Sequence, residues 1–265
     1  MIAAKVKPAA GPMDQFEIKE LIPFGTESYN LAFTNASLWM AIAVFVGCLF
    51  MFLATSKSQL VPGRMQSAGE MLYTFVADML RDVTGPDGMK FFPYIFTLFF
   101  FILLCNFLGL FPSIPGTPDW FHTFTPTSHL AVTLALALLT ISIVIVYGLF
   151  KNGFKFFKLF APSGVPAILL PLIIVIELVS FLSRPLSLAI RLFANMLAGH
   201  LILKLFATFA IGLFGAGGIF GVIGIIPILG NVAITLLELL VAFLQAYIFA
   251  ILSSMYLADA LHPDH

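Results

Sequence analysis

Five apolar stretches dominate this chain and restrict it to folds that live in a bilayer. Three of them, near residues 31–54, 91–112 and 130–150, each approach the roughly twenty residues that a helix needs to cross about 30 Å of hydrocarbon. The other two, 166–211 and 225–257, exceed that length and are separated by the glycine-rich GLFGAGGIFGVIG. A helix of about 45 residues reaches about 67 Å, and tilts above about 40° are unusual, so the last two helices are expected to be strongly inclined or bent. Pro185 lies inside the fourth and offers a kink, whereas Pro166, Pro171 and Pro227 stand near helix starts, where proline is tolerated.

Composition closes off the soluble alternatives. The chain is 60% hydrophobic and 10% charged, and 13 basic plus 13 acidic residues cannot cover so much Phe, Leu and Ile with a polar shell. The formal net charge of zero offers no basic field for nucleic acid. Cys48 and Cys105 sit in separate apolar runs with no Cys or His at ligand spacing, so both read as packing residues and neither a metal nor a cofactor is expected. Pro8, Gly11, Pro12, Asp14, Glu17 and Lys19 interrupt any apolar core that a cleaved leader would need, and none is expected.

Residues 64–83 differ from the five stretches. Met65, Ala68, Leu72, Phe75, Val76, Met79 and Val83 fall on one helical face, with Glu70, Asp78 and Asp82 largely opposite. The pattern predicts an amphipathic helix that lies along the membrane surface or under a partner subunit. The expected fold is therefore an all-α integral membrane protein, with five crossing helices and one interfacial helix. Residues 1–30 form an N-terminal extramembrane segment and 31–265 a single membrane domain.

Basic residues in short loops set the expected orientation. Lys57, Arg64, Arg81 and Lys90 follow the first crossing and Lys151, Lys155 and Lys158 follow the third, while 112–129 and 212–226 have no lysine or arginine. The basic loops face the cytoplasm, which puts the N-terminus outside and the C-terminus inside. No internal repeat is evident, which counts against an inverted-repeat transporter.

The informative residues interrupt the long helices. Glu177, Arg184, Arg191 and Lys204, with His200, lie in the fourth, where a central charge costs about 2.5–3.5 kcal/mol on insertion scales. Residues near the ends can snorkel, but Arg191 is about midway and its guanidinium stays protonated. Glu177, Arg184 and Arg191 repeat at seven, nearly eclipsed, with Asn195 one turn on. His200, nine residues past Arg191, falls about 180° around the helix and shares a face with Lys204. In the fifth helix Asn231, Glu238 and Gln245 also repeat at seven, with Thr235 and Tyr256 close to that line. Polar stripes on facing helices suit an aqueous or proton-relay path.

The segments SLAIRLFANMLAGH, residues 187–200, and ELLVAFLQAYIFAILSSMYL, residues 238–257, resemble the signature of subunit a of the F-type ATP synthase. The likeness runs from CNFLGLFP through PTSHLAVTLALAL to the C-terminus, about two thirds of the chain. It implies a non-catalytic stator subunit of the bacterial inner membrane, lying against a rotating ring of c subunits and joined by peripheral-stalk b-type subunits. Two offset half-channels would carry protons to and from the ring. Arg191 matches the family's essential arginine, facing the ring carboxylates, and Asn195 and Gln245 match polar positions beside it. His200 and Glu238 match two outer half-channel positions where many bacterial members carry an acid first and a histidine second. The reversed order here resembles mitochondrial and alphaproteobacterial members. Glu177 matches an acid on the cytoplasmic side and Arg184 a neighbouring basic position, while Lys204 departs from the pattern. His129 and His122 are candidates for feeding the outer path.

Two readings from other classes stand beside this one. A secondary transporter would also carry charges near the midplane, but needs a cavity and usually a repeat. A membrane-embedded enzyme would need a catalytic cluster, and neither HExxH nor GxSxG occurs in the sequence. Proton rather than sodium is the expected ion, because His200 can titrate near neutrality.

Overall fold

Thr34 opens the first crossing helix, its hydroxyl accepting from the backbone N–H of Ser37 at 3.3 Å, as an N-cap threonine does. This is a computed structural model, which describes residues 18–24, 31–56, 59–111, 123–153, 156, 166 and 168–261. Helix α1 spans Asn35–Thr55. Ahead of it, β1 (Glu20–Phe24) and β2 (Leu31–Thr34) pair antiparallel. Asn35 ties this hairpin to the helix: its N–H donates to the Lys19 carbonyl at 3.1 Å and its Oδ1 accepts from the Lys19 N–H at 3.2 Å. The all-α membrane fold stands; the hairpin adds an element to the N-terminal segment and the first residues of the expected first span, with strands of 5 and 4 residues that are too short for alternation to register.

Helix α2 (Arg64–Thr84) is amphipathic as expected, but its buried face is turned from the expected one. Gly69, Val76, Ala77, Met79, Leu80 and Thr84 are buried, whereas Met65 is 45% exposed and Phe75 37%. Glycine explains the rotation. A Cβ on Gly69 would lie 2.8 Å from the Ala54 Cβ, so the missing side chain lets α1 close on this side. Phe75 stays at the rim, its ring 5.9, 5.8 and 5.5 Å from those of Phe99, Phe243 and Tyr247. The helix thus rests on this chain's own helices as well as presenting an outer face.

A 3-10 turn, Pro86–Phe91, leads into α3 (Phe92–Leu110), and another, Pro126–Ser128, into α4 (Leu130–Asn152). Helix α5 runs from Leu170 to Ala216, 47 residues, and keeps Pro185 inside without a break. Gly217 and Gly218, at φ +68° and +57°, make the turn into short α6 (Gly218–Ile223), which is followed by α7 (Ile225–Leu261). Five helical segments are long and apolar enough to cross a membrane, the last two being 47 and 44 residues.

Helix α7 packs against α2, α3, α4 and α5. Its buried face is rich in small residues, with Ala242, Ala246, Ala250, Ser253, Ser254 and Ala260 interleaved with larger ones such as Phe249 and Leu257. Facing it, α3 contributes large side chains such as Ile95, Phe99 and Ile102, so the helices approach closely as membrane helices with small-residue faces do. The hydroxyls of Ser253 and Ser254 donate to the Phe249 and Ala250 carbonyls of their own helix, which removes their desolvation penalty. At its C-terminal end, Asn152 Nδ2 donates to the Ala260 carbonyl at 2.6 Å and Lys151 Nζ to that of Leu261 at 3.3 Å. These bonds satisfy helix-end acceptors and place the C-terminal ends of α4 and α7 on one face.

The two cysteines part company. Cys105 is buried, as expected, but Cys48 is exposed on the outer face of α1 with Phe45 and Phe52, both 67% exposed. At intervals of three and four residues the three form one apolar stripe, which suits lipid rather than interhelical packing.

Candidate functional site

The two long helices, α5 and α7, carry almost every candidate residue and pack against each other. Arg191 lies near the middle of α5, with its side chain exposed. Among the described residues no carboxylate pairs with it. Its neighbours in sequence turn inward, Leu188 and Leu192 being 1% and 0% exposed, so helical geometry aims Arg191 outward while the same turn anchors the core. Asn195, one turn on, is also exposed, and its Nδ2 donates to Oε1 of Gln245 at 3.1 Å.

On the other side of α5, His200 points into the bundle. Its Nε2 is 3.9 Å from Glu238 Oε1, with the two side chains 11% and 3% exposed. Neither Glu238 oxygen has a hydrogen-bond partner among the described residues. Gly199 makes the approach possible. A Cβ there would stand 2.7 Å from Glu238 Cδ, and closer still to its Oε1. Lys204, one turn beyond His200, is half-buried and acts on it electrostatically. The expected opposition of Arg191 and His200 and the meeting of His200 with Glu238 are therefore both present.

A second polar cluster lies toward the C-terminal end of α7. Arg184 Nη1 meets Asp259 Oδ2 at 3.0 Å, and its guanidinium carbon stands 5.7 Å from the centroid of the Tyr256 ring. The two clusters are 16 residues apart on α5 and 21 on α7, which at 1.5 Å per residue is about 24 and 31 Å along the two helix axes. Glu177, half-buried, lies one heptad before Arg184 on α5 and outside both clusters.

Asn231 stands at the other end of α7. It lines a cleft of about 300 Å³ with Phe206, Ala210, Pro227 and Thr235, and its buried Oδ1 has no hydrogen-bond partner among the described residues. His129 is the residue ahead of α4; its ring stacks on Phe124 at 4.9 Å, and its Nε2 is buried without a partner among the described residues. Burial pushes the His129 imidazole below its usual pKa range. His129 does not join His200 and Glu238 in a shared contact among the described residues. His122 lies outside the described residues.

Sequence reasoning missed three participants. Asp259 was within reach, because the heptad through Asn231, Glu238 and Gln245 arrives there after two more steps. Thr125, whose Oγ1 is 2.7 Å from His200 Nε2, comes from a loop that no helical spacing connects to α5. Asn106 on α3, fully buried, donates through Nδ2 to the Ala242 carbonyl at 3.2 Å and accepts from Thr127 Oγ1 at 2.7 Å.

With this geometry in hand, comparison with known proteins is specific. The ATP synthase A chain family profile matches residues 37–258, so the likeness begins earlier than the two thirds read from motifs alone. ATP synthase subunit a of Chelativorans sp. (strain BNC1) is 55% identical over 257 residues, covering 97% of this chain and 100% of the relative. The subunits a of Mesorhizobium japonicum and Maricaulis maris are each 54% identical, over 96% of this chain and 97% and 98% of theirs. These likenesses, together with five membrane-crossing helices, show that the chain belongs to the ATP synthase subunit a family, the non-catalytic, proton-translocating membrane component of that assembly.

Proposed function

We propose that the chain forms the stator side of a rotary proton path, with two offset half-channels that reach a ring of c subunits on either side of Arg191. The observation that carries this reading is Arg191 itself: a permanent cation, exposed in mid-helix, with no carboxylate paired to it among the described residues. Lipid is a poor neighbour for such a group, so its natural complement is an acid carried by another subunit. A cation there favours the ionised form of an approaching carboxylate and opposes a hydronium at the same point, which keeps the half-channels separate.

The two polar clusters support the rest. The His200–Glu238 pair, with the Asn231 cleft on the same side, is the outer half-channel; Glu177, Arg184, Tyr256 and Asp259 border the inner one. Asn195 and Gln245 hold the polar surface beside Arg191. In this reading the basic loops face the cytoplasm of a bacterial inner membrane, with the N-terminus outside and the C-terminus inside. The outer face of α2 is the surface for peripheral-stalk b-type subunits or the headgroup layer. In this reading the proton is the transported ion, and no cofactor takes part.

Arg191→Ala and Arg191→Lys are expected to abolish ATP-driven proton pumping in inverted vesicles, the lysine because a compact ammonium lacks the guanidinium's fork of donors. Pumping retained by the alanine variant would sink the reading.

A further inference from the structure

We propose that Thr125 is a positioning residue of the proton path, its hydroxyl holding the Nε2 edge of His200 beside Glu238. This rests on the assignment of His200 and Glu238 to that path. Both groups approach one nitrogen: Thr125 Oγ1 is 2.7 Å from His200 Nε2, and Glu238 Oε1 is 3.9 Å from it. A hydroxyl is suited to this place because it both donates and accepts, so it stays bonded to Nε2 whether or not that nitrogen carries a proton. A carboxylate or an ammonium would serve only one of those states. The imidazole is thereby kept in one orientation through the protonation cycle, with its reacting edge toward the Glu238 carboxylate.

The surroundings are built to fix that hydroxyl. Thr125 is 4% exposed although it lies in a connecting segment. Its carbonyl accepts from both the hydroxyl and the N–H of Ser128, at 2.6 and 3.0 Å. Thr127 Oγ1 donates to Asn106 Oδ1, and Asn106 Nδ2 donates to the Ala242 carbonyl, one turn beyond Glu238. The segment is thus tied through α3 to the helix that carries Glu238. Gly109 on α3 completes the seat: a Cβ there would stand 2.7 Å from the Thr125 Cβ and collide with Oγ1. Buried polar groups so fully partnered make a rigid mount.

The test uses inverted membrane vesicles containing the whole ATP synthase, with assembled complex quantified alongside ATP-driven proton pumping. Thr125→Val keeps the shape and removes the hydroxyl; Thr125→Ser keeps the hydroxyl and removes the methyl. With assembly near wild type, valine should lower pumping by about tenfold, the scale of one lost hydrogen bond to an ionisable group, and serine by less than about threefold. A packing role predicts the opposite ranking, so serine worse than valine, or both equally low, would overturn the proposal. Pumping at the wild-type level in Thr125→Val while His200→Ala is inactive would overturn it and leave the proton-path assignment standing; an active His200→Ala would overturn both. Should Thr125→Val fail to assemble, Gly109→Ala decides, since it displaces the hydroxyl without removing a polar group: reduced pumping in assembled complex supports the proposal, and unchanged pumping overturns it.

Discussion

Asn195 Nδ2 donates to Gln245 Oε1 across 3.1 Å, joining an exposed position on α5 to a side chain that is 2% exposed on α7. The bond spans the packed helix pair one turn past Arg191, and the Gln245 Nε2 is left buried without a partner among the described residues. Gln245→Leu removes a buried donor that has no partner among the described residues, which offsets the loss of Asn195's acceptor at an exposed position. Assembled complex in Gln245→Leu membranes should therefore stay near wild type on a native gel, while ATP synthesis falls several-fold. A parallel loss of both would show that the amide serves assembly instead.

The His200–Glu238 contact predicts reciprocity. His200→Glu or Glu238→His alone sets two acids or two imidazoles together at a separation near 3.9 Å, and like charges push one of each pair toward neutrality. ATP-driven pumping should fall in each single variant and recover, at least in part, in the double exchange, which restores one acid and one imidazole. Two singles that pump normally over about pH 6–8 would show that neither residue limits proton uptake.

Gly199→Ala should uncouple helix stability from function. Alanine favours a helix by about 1 kcal/mol over glycine, yet its Cβ would meet the Glu238 carboxyl at 2.7 Å from Cδ. The flexible carboxylate would yield by about 1 Å, and a misplacement of that size near the chemistry costs up to about 100-fold. Normal assembly with strongly reduced pumping is the expected pair of results; normal pumping would mean that the carboxylate's placement is not limiting.

Asp259→Asn should do little to stability. Its partner Arg184 is 37% exposed and Asp259 43%, and exposed ion pairs contribute about 0–1 kcal/mol. The yield of assembled enzyme should be within about twofold of wild type, and a collapse in yield would mark the pair as structural.

Leu80→Asp places a carboxyl where the side chain is fully buried against the core of α2 and its neighbours, and the chain should be lost from the membrane fraction. Met71→Asp, at a position 71% exposed on the outer face of α2, separates a second role. If a partner or the headgroup layer covers that face, assembled complex should drop while the chain itself persists; an unchanged complex would leave α2 as a helix that serves this chain alone.

Hydrophobic length made the five crossings legible, because a bilayer leaves a chain few alternatives. The stripe arithmetic on α5 and α7 was equally reliable, since one rigid helix fixes the angle between Arg191 and His200 whatever surrounds it. What spacing could not supply was anything brought from another element. Thr125 reaches His200 across 75 residues of sequence, and the rotation of α2 depends on how closely α1 approaches Gly69, which is a property of two surfaces. Gly199 and Gly109 matter for side chains they lack, a signal that composition does not carry. The N-terminal hairpin is short enough that its pairing, rather than its pattern, defines it.

The bond from Asn106 to the Ala242 carbonyl also sets an order of events during synthesis. The two residues are 136 positions apart, and at about 5–20 residues per second the ribosome needs about 7–27 s to travel between them. Through that interval the Asn106 amide, fully buried in the finished fold, still lacks its α7 acceptor. A chain that stops short of Ala242 never gains that acceptor, so this tie between α3 and α7 forms only once nearly the whole membrane domain has been made.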